Sequence, residues 1–189
     1  MKFQFFGSLY GDKESFKLVY DCLEKLGCQP MTYHILHRKV EDVNKETPAE
    51  STDYVRRMTR WVQSADFIVF EVTRDDTSLG YEMMLGLNMA KPLLILYRPD
   101  VGEIPFTLRG VTDERIFIYS YAKENVAELE QTLKSSLEEI KEQVDTRFTL
   151  ILPPKITSFL DEISQKKKIP RAVFIRNLIE KEMKKRKGV

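Results

Sequence analysis

Apolar residues along this chain keep two rhythms. Short, nearly continuous runs stand at 2–6 (KFQFF), 67–72 (FIVFEV), 92–97 (PLLILY) and 116–119 (IFIY). Runs of that length, rich in aromatic and branched residues, predict strands covered on both faces. Between them the spacing turns helical. Phe16, Val19, Tyr20, Leu23 and Leu26 predict a helix over 14–26, and Val55, Met58, Trp61 and Val62 predict a second. Residues 81–90 predict a third, and the charged stretch 125–144 a fourth. A further strand is predicted at 31–36 (MTYHIL), while the polar stretch 40–53 reads as loop. Gly7-Ser8 closes the first run as a turn.

Strands alternating with helices imply a parallel sheet with right-handed crossovers. The fold class predicted for residues 1–144 is therefore α/β, a flavodoxin-like doubly wound parallel five-stranded sheet. The rhythm breaks in a second domain, 145–189. There 147–152 (RFTLIL) reads as one strand, Pro153-Pro154 ends it, and two helical patterns follow. The first carries Ile156, Phe159, Leu160 and Ile163. The second carries Val173, Phe174, Leu178, Ile179 and Met183, with Pro170 placed to open it. So short a piece, with one unpaired strand, cannot bury enough surface alone. Its strand needs a partner.

Charge sharpens that division. Up to Asp145 there are 18 Lys and Arg against 25 Asp and Glu, whereas from Thr146 onward there are 12 against 4. An acidic body with a basic tail points to a polyanion at the tail alone. Lys184–Lys187 does not explain the excess, because a balance of +4 remains without those four residues. No apolar run is long enough to span a bilayer, and the start of the chain lacks a secretory pattern, so an intracellular, cytoplasmic protein without membrane association is expected. Cys22 and Cys28 form neither a disulfide framework nor a metal site and are expected as free thiols. His34 and His37 have no clustered third ligand, and Asp75-Asp76 reads as a solvated loop. No metal and no cofactor are expected.

Ligands of open parallel sheets bind beyond the carboxyl ends of neighbouring strands. Here the first strand ends in Gly7-Ser8-Leu9-Tyr10-Gly11, and the third runs into the loop and helix that carry Asp76, Ser78, Gly80, Tyr81 and Glu82. Glu82 is expected in the first turn of that helix, where the helix dipole favours an ionised carboxylate. Such a group could attack the anomeric carbon of a sugar. It could equally be an ordinary helix-start acid.

The segments GSLYG, SADFIVFEVT and SLGYEMMLGLNMAKPLLILYRPD, in that order, resemble the nucleoside 2-deoxyribosyltransferase superfamily, and most closely its deoxynucleoside 5'-monophosphate N-glycosidase branch. The resemblance spans roughly residues 1–140. It implies a glutamate nucleophile at Glu82 beside Tyr81, and a substrate site drawing on Gly7, Ser8 and His34; the two facing loops add Tyr10, Gly11, Asp76, Ser78 and Gly80 as candidate substrate contacts. It also implies a nucleoside or nucleotide as the small-molecule partner, and a dimer. The chain departs from the pattern where it matters chemically. Met58 stands where those enzymes carry a catalytic aspartate, three residues before the tryptophan. Asp76 stands where the nucleotide hydrolases have a serine, Tyr10 where they have an arginine, and a further phosphate-contacting serine falls near Pro105.

The tail, RFTLILPPKITSFLDEISQKKKIPRAVFIRNLIEKEM, resembles ribbon-helix-helix DNA-binding dimers. The resemblance implies double-stranded DNA as a partner and a homodimer or larger even-numbered assembly. Arg147, Thr149 and Ile151 would face the major groove, and Lys168 and Arg171 the phosphates. Three readings stay open: an N-glycosidase or deoxyribosyltransferase with a DNA-binding tail, a DNA-binding regulator whose altered site senses a nucleotide, or an enzyme whose tail only locks a dimer.

Overall fold

The computed structural model describes residues 1–74, 76–146 and 152–167, and beyond them 171, 174–175, 178–179 and 181–182. The chain divides into two compact units, Met1–Phe148 and Thr149–Val189. In the first unit five parallel strands form one sheet in the order β2-β1-β3-β4-β5: β1 (Lys2–Gly7), β2 (Gln29–Pro30), β3 (Phe67–Glu71), β4 (Leu93–Tyr97) and β5 (Ile116–Ser120). This is the predicted α/β architecture. The chain lays β2 on one side of β1 and then crosses to lay β3 on the other, so the direction of winding switches between β1 and β3. That switch is where an open sheet leaves a crevice for ligands.

The strands read as nearly continuous apolar runs because each face meets helices. Alternate residues point to opposite sides. Phe3, Phe5, Phe67 and Val69 pack with α1 (Lys13–Lys25) and α6 (Val126–Thr146), while Phe6, Ile68 and Phe70 pack with α4 (Pro48–Ser64) and α5 (Thr77–Asn88). Each phenylalanine is essentially free of solvent, a burial that contributes about 1.5–3 kcal/mol per side chain. The α5 helix lies very close to the sheet at Gly86, where an added Cβ would stand 2.6 Å from Ile68 Cδ1 and 2.9 Å from Leu93 Cδ2. Cys22 and Cys28 are free, buried thiols in the core on the α1 side.

Two expectations fail between β1 and α4. The strand predicted at 31–36 is not formed: β2 is the two residues Gln29–Pro30, and His34–His37 form a short helix, α2. Pro30 brings no N–H to the ladder. Thr32 Oγ1 then accepts the His34 N–H at 3.1 Å, a local bond that starts a helical turn in place of a strand. The predicted loop 40–53 contains α3 (Val40–Val43) and the opening of α4. Thr47 caps α4 in a reciprocal box with Glu50, and Pro48 takes the first turn, so three signals for a helix start coincide there.

In the second unit Pro154–Lys167 form α7, and residues 171, 174–175, 178–179 and 181–182 are helical. The strand predicted at 147–152 lies outside the described residues, apart from Leu152. Among the described residues, no helix is long and apolar enough to cross a membrane.

Candidate active site

The register Gly7↔Glu71 brings the ends of β1 and β3 level, so the turn after β1 and the loop that enters α5 share one edge of the sheet. The end of β1 also runs close to α1: a Cβ at Gly7 would stand 2.6 Å from Phe16 Cζ. The turn is tied to the loop by side chains. Asp76 caps α5, its Oδ1 accepting the Ser78 N–H at 2.9 Å and its Oδ2 the Ser8 hydroxyl at 3.0 Å. Ser8 Oγ in turn accepts the Tyr10 N–H at 3.2 Å.

Behind this link lies a cavity of about 470 Å³. Asp76, Ser78 and Glu82 line it from α5, His34 and Arg38 from around α2, Tyr54 and Met58 from α4, and Gly7 from β1, while Tyr81 lines it but stays largely in solvent. Aromatic rings build one wall. The His34 ring lies 5.1 Å from Trp61 and 6.0 Å from both Tyr54 and Phe6. The Arg38 guanidinium lies over the Tyr54 ring at 3.7 Å and pairs with Glu46 at 2.8 Å. Such a wall offers flat π-faces to a planar ring.

Glu82 does not meet the expectation of a dipole-stabilised carboxylate. The α5 helix starts at Thr77, so Glu82 lies in its second turn, where the influence of the helix end has faded. It is 8% exposed. Burial, and then the neighbouring Asp76 charge, push its carboxyl up from 4.5 to about 8, with Arg38 opposing. The carboxyl is thus mostly protonated at neutral pH. Burial, then the charges of Arg38 and Lys13, push His34 down to about 4, leaving a neutral imidazole. Burial, then the Glu82 charge, push the Tyr54 phenol up to about 12, so it keeps its proton. Behind His34 the Gln4 amide donates to Phe5 O at 3.0 Å and approaches His34 Nδ1 at 3.5 Å, while Gln4 Oε1 is buried without a partner.

The structure therefore gathers Gly7, His34, Asp76, Ser78, Tyr81 and Glu82 at one cavity, with Ser8 bonded to Asp76. It places others elsewhere. Tyr10 and Gly11 line a separate cleft of about 300 Å³ with Asp12, Ser15, Glu71 and Arg98. Gly80 lines a third depression, shared with Met83 and Pro105. Met58 is buried in the cavity wall. Sequence reasoning passed over Arg38 and Tyr54. Tyr54 precedes Met58 and Trp61 at helical spacing and could have been found with that stripe, whereas nothing local marks Arg38. Asp75, Arg147, Thr149, Ile151 and Lys168 lie outside the described residues. Arg171 is exposed and ion-paired with Asp161. Among the described residues no three metal-ligating side chains converge.

No family model matches the chain. It is similar to known proteins nonetheless. It is 30% identical over 143 residues to a Nematostella vectensis protein that carries the provisional name 2'-deoxynucleoside 5'-phosphate N-hydrolase 1; the match covers 72% of this chain and 95% of that one. It is 29% identical over 127 residues to the 5-hydroxymethyl-dUMP N-hydrolase of Mus musculus, covering 65% of this chain and 73% of the relative. The rat protein of that name, from Rattus norvegicus, is 27% identical over 159 residues, covering 82% and 88%.

Proposed function

Because the chain belongs to the 2'-deoxynucleoside 5'-phosphate N-hydrolase family, within the nucleoside deoxyribosyltransferase-like superfamily, we propose that it cleaves the bond between base and sugar in 2'-deoxynucleosides or their nucleotides, with Glu82 as nucleophile. One observation carries the reading: Glu82 is buried in a cavity at the β1/β3 switch, facing a wall of aromatic rings. In its ionised form Glu82 attacks the anomeric carbon. The bond to the base nitrogen breaks, its electron pair leaves with the base, and a glycosyl ester forms on Glu82. A water molecule then adds at the anomeric carbon and gives up a proton to the group that protonated the base, releasing the sugar and restoring the carboxylate. Tyr54 lines the same cavity as Glu82 and keeps its phenol proton, so it supplies a proton to the leaving base, which Met58 cannot. The aromatic wall takes the base.

The test is incubation of the full chain with 2'-deoxynucleosides and their 5'-monophosphates, following released base by chromatography. Glu82→Gln should abolish release, because an amide cannot form the ester. Release that survives the substitution removes Glu82 from this role. Tight ligand binding without any release makes the unit a sensor.

The C-terminal unit is read as a clasp between two chains that presents basic charge to DNA. Ile156 and Phe159 on α7, with Leu178 and Ile179, stay about half exposed within one chain, and an apolar surface of that kind calls for cover. The lysine- and arginine-rich composition after Thr146 supports a polyanion beside it. Fluorescence anisotropy of the full chain against duplex DNA tests the second half of this reading. Binding no tighter than that of a chain carrying Arg147→Ala and Lys168→Ala leaves only the clasp.

A further inference from the structure

We infer that Gln4 is a positioning residue for His34: its amide holds the imidazole as the Nε2–H tautomer, so that the ring meets a ligand in the Glu82 cavity as a hydrogen-bond donor. The use made of that donor rests on the N-glycosidase reading, but the tautomer itself can be read without turnover.

Gln4 is a polar residue where the fold calls for an apolar one. It stands in β1, a strand covered on both faces, and it is 0% exposed. It alternates with Phe3 and Phe5, so it turns toward the face that Phe6 shares with α4 and α5. A hydrocarbon side chain would leave no hydrogen bond unmade there. Gln4 instead leaves Oε1 buried without a partner, a costly arrangement. A buried polar atom left in that state asks for a reason.

The amide nitrogen supplies one. Gln4 Nε2 donates to Phe5 O at 3.0 Å and stands 3.5 Å from His34 Nδ1. Turning the amide over would set Oε1 against the Phe5 carbonyl, oxygen facing oxygen, so the Phe5 bond fixes which atom faces the imidazole. An amide NH2 carries two hydrogens and accepts none. With one hydrogen on Phe5 O, the second is left for Nδ1, which must then be the unprotonated ring nitrogen. The opposite tautomer would aim Nδ1–H at the amide's own hydrogen, donor against donor. The imidazole is neutral, so its one proton lies on Nε2. Nε2 is on the far side of the ring from Gln4, and the ring lines the cavity. A neutral imidazole could offer a ligand either a lone pair or a proton. Gln4 selects the proton.

Two measurements on the full chain test this. The chain has two histidines, and His37→Gln removes the exposed one, so the imidazole signals that remain belong to His34. Long-range proton–nitrogen NMR at neutral pH tells a protonated ring nitrogen from an unprotonated one. The Nε2–H form should predominate. Gln4→Met, of nearly the same length but without a donor, should shift the tautomer ratio toward Nδ1–H by roughly twofold to tenfold, the range that one such bond is worth. The second measurement is a cycle in kcat/KM for base release. Gln4→Met should lower it in the wild type and leave it unchanged in a His34→Ala chain, because Gln4 acts through that ring. A packing role would lower it in both. A wild-type His34 that holds Nδ1–H, a ratio that Gln4→Met does not move, or an equal loss in both backgrounds overturns the inference. Where no substrate releases base, the hydrolase reading falls and the NMR spectrum alone decides the role of Gln4.

Discussion

Replacing Glu82 by glutamine should make the first unit more stable at neutral pH while abolishing base release. The carboxyl ordinarily titrates at 4.5 and in the fold at about 8. Between those values the folded state holds a proton that the unfolded chain has lost, so stability falls as pH rises through the window. Below 4.5 both states are protonated and nothing is lost. At about 1.4 kcal/mol per pH unit, the loss reaches roughly 3 kcal/mol at pH 7 and roughly 5 kcal/mol above pH 8. Glutamine has nearly the same shape and no charge to desolvate, so it removes this loss. For a chain of this size about 3 kcal/mol corresponds to a rise in Tm of roughly 6–12 °C. His34, held at about 4, makes stability rise with pH up to its ordinary value of 6.5, but it does so in both proteins and cancels in the comparison. The assay is thermal unfolding followed by circular dichroism, wild type against Glu82→Gln, at pH 5 and pH 7. The gap in Tm should be small at pH 5 and widen at pH 7. A gap of equal size at both would refute the idea that Glu82 is held protonated by burial.

The same carboxyl sets the pH profile of the reaction. Below about 8 the ionised fraction falls tenfold per pH unit, so kcat/KM should climb with pH and level off near 8; a flat profile from pH 6 to 9 would exclude a Glu82 nucleophile whose carboxyl ionises only near 8. Asp76→Asn should move that climb to lower pH by removing the like charge, as a kcat/KM profile of the variant will show. At Gly86 an added methyl meets Ile68 and Leu93, so Gly86→Ala should cost about 1–3 kcal/mol by overpacking, measurable as a lowered urea midpoint. Light scattering of the full chain should give a dimer or a larger even-numbered assembly, and Phe159→Asp should shift it toward monomer by charging the uncovered face of α7. A wild-type monomer at micromolar concentration would defeat the clasp.

The strands were legible because burial on both faces leaves a mark that needs no context: FIVFE and LLILY can hardly be anything else. The segment between β1 and α4 was not, for two different reasons. In 31–36 the apolar residues suit either period, and the outcome turned on Pro30 and on one Thr32 side-chain bond, a local choice that hydrophobic spacing does not encode. At Thr47-Pro48-Ala49-Glu50 the information was present, since a capping box with proline at the first turn announces a helix, but the polarity of the stretch masked it. Around the cavity, the GYE run and the turn after β1 named Glu82, Gly7 and Ser8 as candidates. Arg38 and Tyr54 arrive there from elements whose positions follow from packing alone. The protonation of Glu82 was misjudged because it depends on burial, and burial is a property of the assembled fold.

The sheet order also constrains how the chain can be built. Phe3 faces Phe67 across the ladder, so the segment that becomes β1 emerges from the ribosome 64 residues before its main neighbour. At 5–20 residues per second that interval is roughly 3–13 s. Until Phe67 follows, β1 has only the two-residue β2 beside it in the sheet, with α1, α2 and α4 as the helices it can lean on, and one whole edge of the strand stays open. A nascent chain in this condition is a natural client for holding chaperones, and slowed translation between residues 30 and 67 would prolong its exposure. The strand at the heart of the ligand crevice is thus completed on its second edge only when β3 has been made.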